Sequence, residues 1–166
     1  MVFKKVLSAD VNFMDSLKDR LRLREVNSVD ESDVIIAFVP ITSRAGTDIE
    51  SALKQIPQNL SRPVVLVVLH HTSDSEFVTP DSSLIVSREN VFTVDCLFHE
   101  DKGLLRCLCN DKALKAVTDH LNSPEIFKRT SDQAEVGVKS IFLDEDIRGG
   151  RYGSKIISRY FMVFSR

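Results

Sequence analysis

The chain has 166 residues, 43% hydrophobic and 28% charged, the make-up of one globular domain around a single core. Its 22 basic and 24 acidic side chains leave a net charge of -2, which excludes a global attraction to nucleic acid or to an anionic membrane. No apolar run reaches the roughly 18 residues of a membrane span, and Met1-Val-Phe-Lys-Lys5 lacks a signal core, so the expectation is a soluble, cytoplasmic protein with no membrane partner.

In chain order, Val2 to Leu7 reads as a first strand. Asn12 suits the N-cap of a helix whose Phe13, Leu17 and Leu21 recur at i, i+4 and i+8. Leu23 to Val26 reads as a short second strand. Val34 to Val39 is apolar throughout, the pattern of a strand covered on both faces. Thr47 is placed as the cap of a helix to about Ile56, halted by Pro57. Val64 to Leu69 is a second fully apolar strand and runs into His70-His71. Thr72 to Asn90 is polar, holds Pro80 and offers only a short extended candidate, Leu84 to Val86. A loop this long is usually functional or mobile. Val91 to Phe98 is a further strand, and Asn110 is placed as the cap of a helix from Asp111 to Leu121, ended by Pro124.

Strands alternating with helices at this spacing predict an α/β fold. The expectation is a single open, mainly parallel sheet of about five strands with flanking helices, flavodoxin-like or deoxyribosyltransferase-like, over residues 1–122. A C-terminal accessory segment, 123–166, follows. It carries the apolar Val136 to Leu143, and from Ile147 onward five basic residues and no acidic one. Arg148-Gly-Gly-Arg-Tyr-Gly153 with Ile156 to Phe164 reads equally as a hairpin, a closing strand or a tail.

Open parallel sheets bind ligands beyond the carboxyl ends of their strands, which directs attention to Thr42-Ser-Arg-Ala-Gly-Thr-Asp-Ile-Glu50. Thr42, Ser43, Arg44, Gly46, Thr47 and Asp48 are the candidate ligand-binding residues. The N–H groups of a helix start attract anions, Gly46 permits close approach, and Arg44 suits a phosphate or carboxylate. Asp48 and Glu50 would repel a phosphate placed there, so recognition of hydroxyl or ribose groups fits better. Thr47-x-x-Glu50 also has the form of a capping box, which explains both residues without a ligand.

His70 and His71 alternate across their strand, so one of them can face the crevice and serve as general acid or base. The plainer reading is a satisfied polar residue at a strand end. Cys96-x-x-His99 with Cys107-x-Cys109 offers donors suited to zinc, without a standard zinc spacing. Three cysteines, an odd number, fit reduced thiols, and Cys96 shares parity with the apolar Val94 and Phe98. No metal and no cofactor are expected. Asp95, Glu100 and Asp101 read as a solvated loop. A single Arg-Gly-Gly copy is too little for strong nucleic-acid binding.

The strand, the polar turn with Gly46 and the helix carrying Glu50 and Ala52 resemble the nucleoside 2-deoxyribosyltransferase and deoxynucleotide N-glycosidase family. Over the same Ser32 to Leu69 the chain also resembles Toll/interleukin-receptor-type domains, some of which cleave NAD. These resemblances imply a nucleotide or nucleoside ligand with Glu50 as nucleophile at an anomeric carbon; Arg44 lies outside their pattern, and the reading of the residues themselves adds Arg44 and Asp48 orienting the ligand and His70 or His71 assisting. More of the core is similar to a family of uncharacterised fish proteins, through Ser43-Arg-Ala-Gly-Thr-Asp-Ile-Glu50, Pro63 to Thr72, Pro80-Asp-Ser-Ser83 and Val94 to Asp101; that resemblance implies no activity. The expected function is nucleotide or nucleoside binding with N-glycosidase or NAD-cleaving chemistry, and the alternative is a catalytically silent protein-interaction module. Either leaves room for a homo-oligomer.

Overall fold

The computed structural model describes residues 3–129 and 136–143. The chain opens with helix α1, Phe3–Lys18. Ala9, Phe13, Met14 and Leu17 are buried at helical spacing, the stripe of an amphipathic helix. The strand expected at Val2 to Leu7 is thus, from Phe3 on, the beginning of α1, and Val2 lies outside the described residues. Once a helical nucleus exists, extending it backward adds one hydrogen bond per residue, and Lys4-Lys5 breaks the alternation a half-buried strand needs. Asn12, expected as a cap, lies in mid-helix.

Six strands form one mixed sheet in the order β1-β6-β2-β3-β4-β5: β1 Leu23–Glu25, β2 Val34–Pro40, β3 Val64–His71, β4 Val91–His99, β5 Gly103–Leu104 and β6 Val136–Phe142. All neighbours are parallel except β5, which returns antiparallel to β4. Among the described residues the expected set of about five loses its first member to α1 and gains two, β5 and, from the stretch expected to be accessory, β6. β6 sits between β1 and β2. Asp33 sets its register, donating its backbone N–H to the Gly137 carbonyl (2.6 Å) and accepting the Gly137 N–H on Oδ2 (2.7 Å).

β2 and β3 are covered on both faces, as their continuous apolar runs require. One face packs Val34, Ile36, Phe38, Val65, Val67 and Leu69 against α1 and α3 (Leu108–Leu121), with Ile126 of α4 (Pro124–Arg129). The other packs Ile35, Ala37, Val39, Leu66 and Val68 against Ile49, Ala52 and Ile56, contributed by α2 (Ala45–Gln55) and its C-cap. Pro124, expected only to end a helix, opens α4, where its missing N–H costs nothing.

From β3 to β4 the chain crosses without an α-helix, as expected, but the extended candidate is not a strand. Ser82–Leu84 forms a 3-10 turn, and Val86 packs against the second core. Side chains hold the crossover at its far end. The Arg88 guanidinium donates to the carbonyls of Leu53, Ile56 and Pro57, where a cation complements the helix dipole, and the Asn90 amide donates to those of Leu60 and Arg62.

Two further expectations on caps are corrected. α2 starts after Arg44 rather than Thr47, and no side chain caps it. α3 starts after Cys107, and Asn110 points inward instead, 2% exposed. Its amide accepts the Leu97 N–H (2.7 Å) and donates to the carbonyls of Leu97 (2.7 Å) and Leu105 (2.6 Å). A buried amide thus stands in for a missing strand on the edge of β4.

Gly103 joins β5 to α1. It has φ 71°, and a Cβ there would stand 2.2 Å from Asn12 Oδ1, which accepts the Leu104 N–H at 3.2 Å. Gly103→Ala is expected to cost about 1–3 kcal/mol in urea denaturation. Gly46→Ala, where a Cβ meets nothing within 4 Å in the first turn of α2, should instead be neutral or stabilising by up to about 1 kcal/mol. Equal losses at both positions would refute this account of Gly103.

Candidate binding rim at the carboxyl ends of the strands

Parallel register brings the expected segments to one end of the sheet. Pro40 pairs with Leu69, His70 with Leu97 and His71 with Phe98, so the Thr42–Thr47 turn, the two histidines and the turn after β4 share a rim. They do not share a chemical cluster.

In the first turn, Asp48 is 2% exposed and is taken up internally. Its Oδ2 accepts the backbone N–H groups of Thr42 (2.7 Å) and Ser43 (2.9 Å), and Oδ1 accepts the Ser43 hydroxyl (2.9 Å). An internal carboxylate therefore occupies the donors an anion would seek there. The reciprocal Thr47–Glu50 box is replaced by this arrangement. Glu50 lies on the exposed side of α2 and pairs with Lys54 (3.0 Å), with side chains 69% and 68% exposed. Thr42, Ser43, Arg44, Gly46 and Thr47 are all exposed.

The histidines diverge, as strand alternation demands. His71 is exposed, stacked on His99 (5.2 Å between centroids) and edge-on to Phe98 (5.4 Å). His70 is buried, its Nε2 donating to Asp95 Oδ1 at 2.7 Å. Asp95 also accepts the Ser82 hydroxyl on Oδ1 (2.6 Å) and the Ser82 N–H on Oδ2 (3.0 Å). Burial alone would raise its pKa, but the bonds from His70 and Ser82 outweigh that and hold the carboxyl below its ordinary value.

Serine, histidine and aspartate are assembled here in the wrong connectivity for hydrolysis. Both Ser82 and His70 donate to the carboxylate, so no base takes the serine proton. The cluster is a clamp that ties the crossover to β3 and β4. Asp95 lies within the strand expected at Val91 to Phe98, and its side chain, grouped by sequence with Glu100 and Asp101 as solvated, is only 12% exposed. The available signal was its position between Val94 and Cys96: a lone carboxylate inside an apolar strand needs dedicated donors.

Cys96 is fully buried, and burial pushes its thiol pKa far up. Cys109 donates to the Asp95 carbonyl (3.5 Å), and burial raises its pKa as well. Among the described residues no three Cys, His, Asp or Glu side chains gather as a metal would require. The Arg148-Gly-Gly-Arg151 motif lies outside the described residues.

Two depressions lie past β4. A depression of about 390 Å³ is lined by Ser73, Ser75, Lys102, Leu104, Leu105 and Arg106. A second, of about 570 Å³, shares the last four and continues toward Asp15 and Asp19 of α1 and Asp111 of α3. Neither is lined by Thr42–Asp48 or by the two histidines. Comparison with known protein families, curated proteins and solved structures finds no match.

The clamp has a pH signature. Asp95, with its pKa depressed, contributes stability that is present above the unfolded value near 3.8 and is lost as pH falls through its lower folded value. Asp10 behaves oppositely: burial raises it to about 6, so its contribution is full below 3.8 and lost as pH rises through 6. In thermal melts, Asp95→Asn should destabilise by about 1–3 kcal/mol at pH 7 and progressively less toward pH 3. Asp10→Asn should stabilise at pH 7, by at most about 3 kcal/mol, and make little difference at pH 4. A pH-independent effect of either substitution would contradict these assignments.

Proposed function

We propose that this chain is a catalytically silent α/β recognition module that docks an apolar, basic peptide segment on the β3–β4 crossover and the start of α3. The exposed apolar side chains carry this reading. Val78 (86% exposed), Leu84 (84%), Leu108 (67%), Phe77 and Ile85 are the exposed large hydrophobics among the described residues, and all five belong to that surface. Two connections draw them together. Cys109, next to Leu108, bonds both Thr79, next to Val78, and the Asp95 carbonyl, while Asp95 holds Ser82 beside Leu84. Scattered single apolar residues are ordinary, whereas a set confined to one pinned surface marks an interaction site.

Charge selects the partner. Thr72 to Asn90 carries four acidic residues, Asp74, Glu76, Asp81 and Glu89, against one basic, and that one, Arg88, is engaged with α2. Residues 147–166 of the chain have the complementary composition, five basic and no acidic, with the apolar run Tyr160-Phe-Met-Val-Phe164. A second copy of the chain is therefore one source of such a segment. The cytoplasmic setting belongs to the same proposal, supported by three free cysteines and by the fact that no helix among the described residues is long and apolar enough to cross a membrane.

A second reading keeps the nucleotide or nucleoside ligand, Glu50 as nucleophile and a flavodoxin-like or deoxyribosyltransferase-like fold. The observation in its favour is the shared rim of the Thr42–Thr47 turn and His70. Against it stand the Lys54 partner of Glu50 and the internal use of Asp48.

Fluorescence anisotropy with a labelled peptide of sequence 147–166 tests the docking surface. Full-chain protein should bind it, and Leu84→Asp with Leu108→Asp should weaken binding by at least about tenfold while melting temperature holds, since both side chains are exposed. Unchanged binding in that variant, or none in the native chain, would refute the module reading. The same preparation should release no base from nucleosides, deoxynucleotides or NAD. Turnover that disappears in Glu50→Gln would establish the second reading instead.

A further inference from the structure

We propose that the depression past β4 is a binding site for the phosphate of a hydroxylated small molecule, a sugar phosphate in chemical class. It adjoins the peptide-docking surface, since Ser73 and Ser75 belong to the same crossover, but it uses none of the five exposed apolar side chains and none of the Thr42–Asp48 turn, and it stands whichever reading of the function holds.

Both depressions are lined by Lys102 and Arg106, two exposed cations that take part in none of the ion pairs formed among the described residues. Backbone bonds fix both. Lys102 closes the turn after β4 through its N–H to the His99 carbonyl (3.1 Å) and precedes Gly103, whose φ of 71° defines the bend. Arg106 is held between Leu105, bonded to Leu97 and to Asn110, and Cys107 at the N-cap of α3. Two cations are thereby presented from anchored backbone on either side of a two-residue strand.

Ser73 and Ser75 line the smaller depression together with them. They leave β3 in a turn fixed by the Thr72 N–H to the Phe98 carbonyl (2.9 Å) and by Asp74, whose Oδ1 accepts the Glu76 N–H (2.9 Å). Asp74 spends its carboxylate on that turn and does not line the depression. The smaller lobe thus holds two hydroxyls, two cations and no carboxylate, the donor set for a compact dianion: arginine binds two oxygens in parallel, lysine supplies a point charge and serine donates neutral bonds.

The larger lobe differs in character. Asp15, Asp19 and Asp111 line it, and carboxylates there accept hydroxyl protons while repelling a second phosphate. A ligand that fills both lobes is therefore anionic at one end and rich in hydroxyls at the other. The volumes suit a small molecule, and the smaller lobe lies past the carboxyl ends of β3 and β4, where such sheets hold their ligands, while the larger follows the sheet edge beside β5 and α1.

Isothermal titration of the full chain with ribose 5-phosphate, inorganic phosphate and ribose tests the site. Ribose 5-phosphate should bind once per chain with Kd on the order of 0.1–1 mM, inorganic phosphate more weakly, and ribose not measurably. Lys102→Ala with Arg106→Ala should weaken ribose 5-phosphate at least about tenfold, and Ser75→Ala, which leaves both charges in place, by a smaller factor. Asp19→Asn should reduce the preference for ribose 5-phosphate over inorganic phosphate. Arg44→Ala should change nothing. No binding by the native chain, equal binding by the double variant with its melting temperature intact, or loss on Arg44→Ala would each overturn the proposal.

Discussion

One half-buried carboxylate sets the conditions for the rim at the carboxyl ends of the strands. The link from β3 to β4 has no helix to lay an apolar stripe on the sheet, so polar bonds must hold it. Asp95 supplies them, gathering His70 from β3 and both the amide and the hydroxyl of Ser82 from the crossover. Because the clamp lies midway along the crossover, it divides that segment in two. Ser73 and Ser75 stand before it, beside the cations that follow β4, and Leu84 and Ile85 project to solvent after it. Exposed apolar residues on an anchored segment present a fixed surface rather than a collapsing one.

Asp10 and Asp95 show why the donors matter more than the burial. Burial opposes ionisation of both. Asp10 has the backbone N–H groups of Val11 and of its own residue to set against that, and it remains raised at about 6. Asp95 has His70 and two donors from Ser82, and it falls below its ordinary value. The difference is the expected one for a carboxylate supplied with strong local donors against one left with few. It also bears on chemistry, since a carboxylate so fully bonded is a poor general acid at neutral pH.

The parts of the fold legible in the sequence were those with a strong local period. Val34 to Val39 and Val64 to Leu69 could be read as doubly covered strands because nothing polar interrupts them, and Phe13, Leu17 and Leu21 because their spacing has one helical solution. What failed depended on distant partners. Val2 to Leu7 is short and apolar enough for either state, and from Phe3 on it is helical. Val136 to Leu143 was visible as an apolar segment, but its insertion between β1 and β2 rests on Asp33 and Gly137, which lie 104 positions apart. Thr47 and Asn110 were misplaced because short polar residues near a helix start have two uses. They can cap the helix, or they can be exceeded by a neighbour such as Asp48, or turned inward to complete a sheet edge.

The candidate rim was legible in position and not in composition, for a physical reason. Topology alone fixes the end of a parallel sheet at which loops gather, so an apolar run followed by a polar turn locates the rim. Which donors and charges remain available there is decided afterwards by internal pairing. Asp48 removes the Thr42 and Ser43 amides, Lys54 engages Glu50 and Asp95 engages His70. Among the described residues Lys102 and Arg106 escape that pairing. They flank a two-residue strand whose backbone is bonded by β4 and Asn12, followed by Leu105 held by Asn110, and Glu100 and Asp101 do not line the smaller depression. Charge that no described partner engages, on anchored backbone, is what a ligand can use without first breaking a bond within the protein.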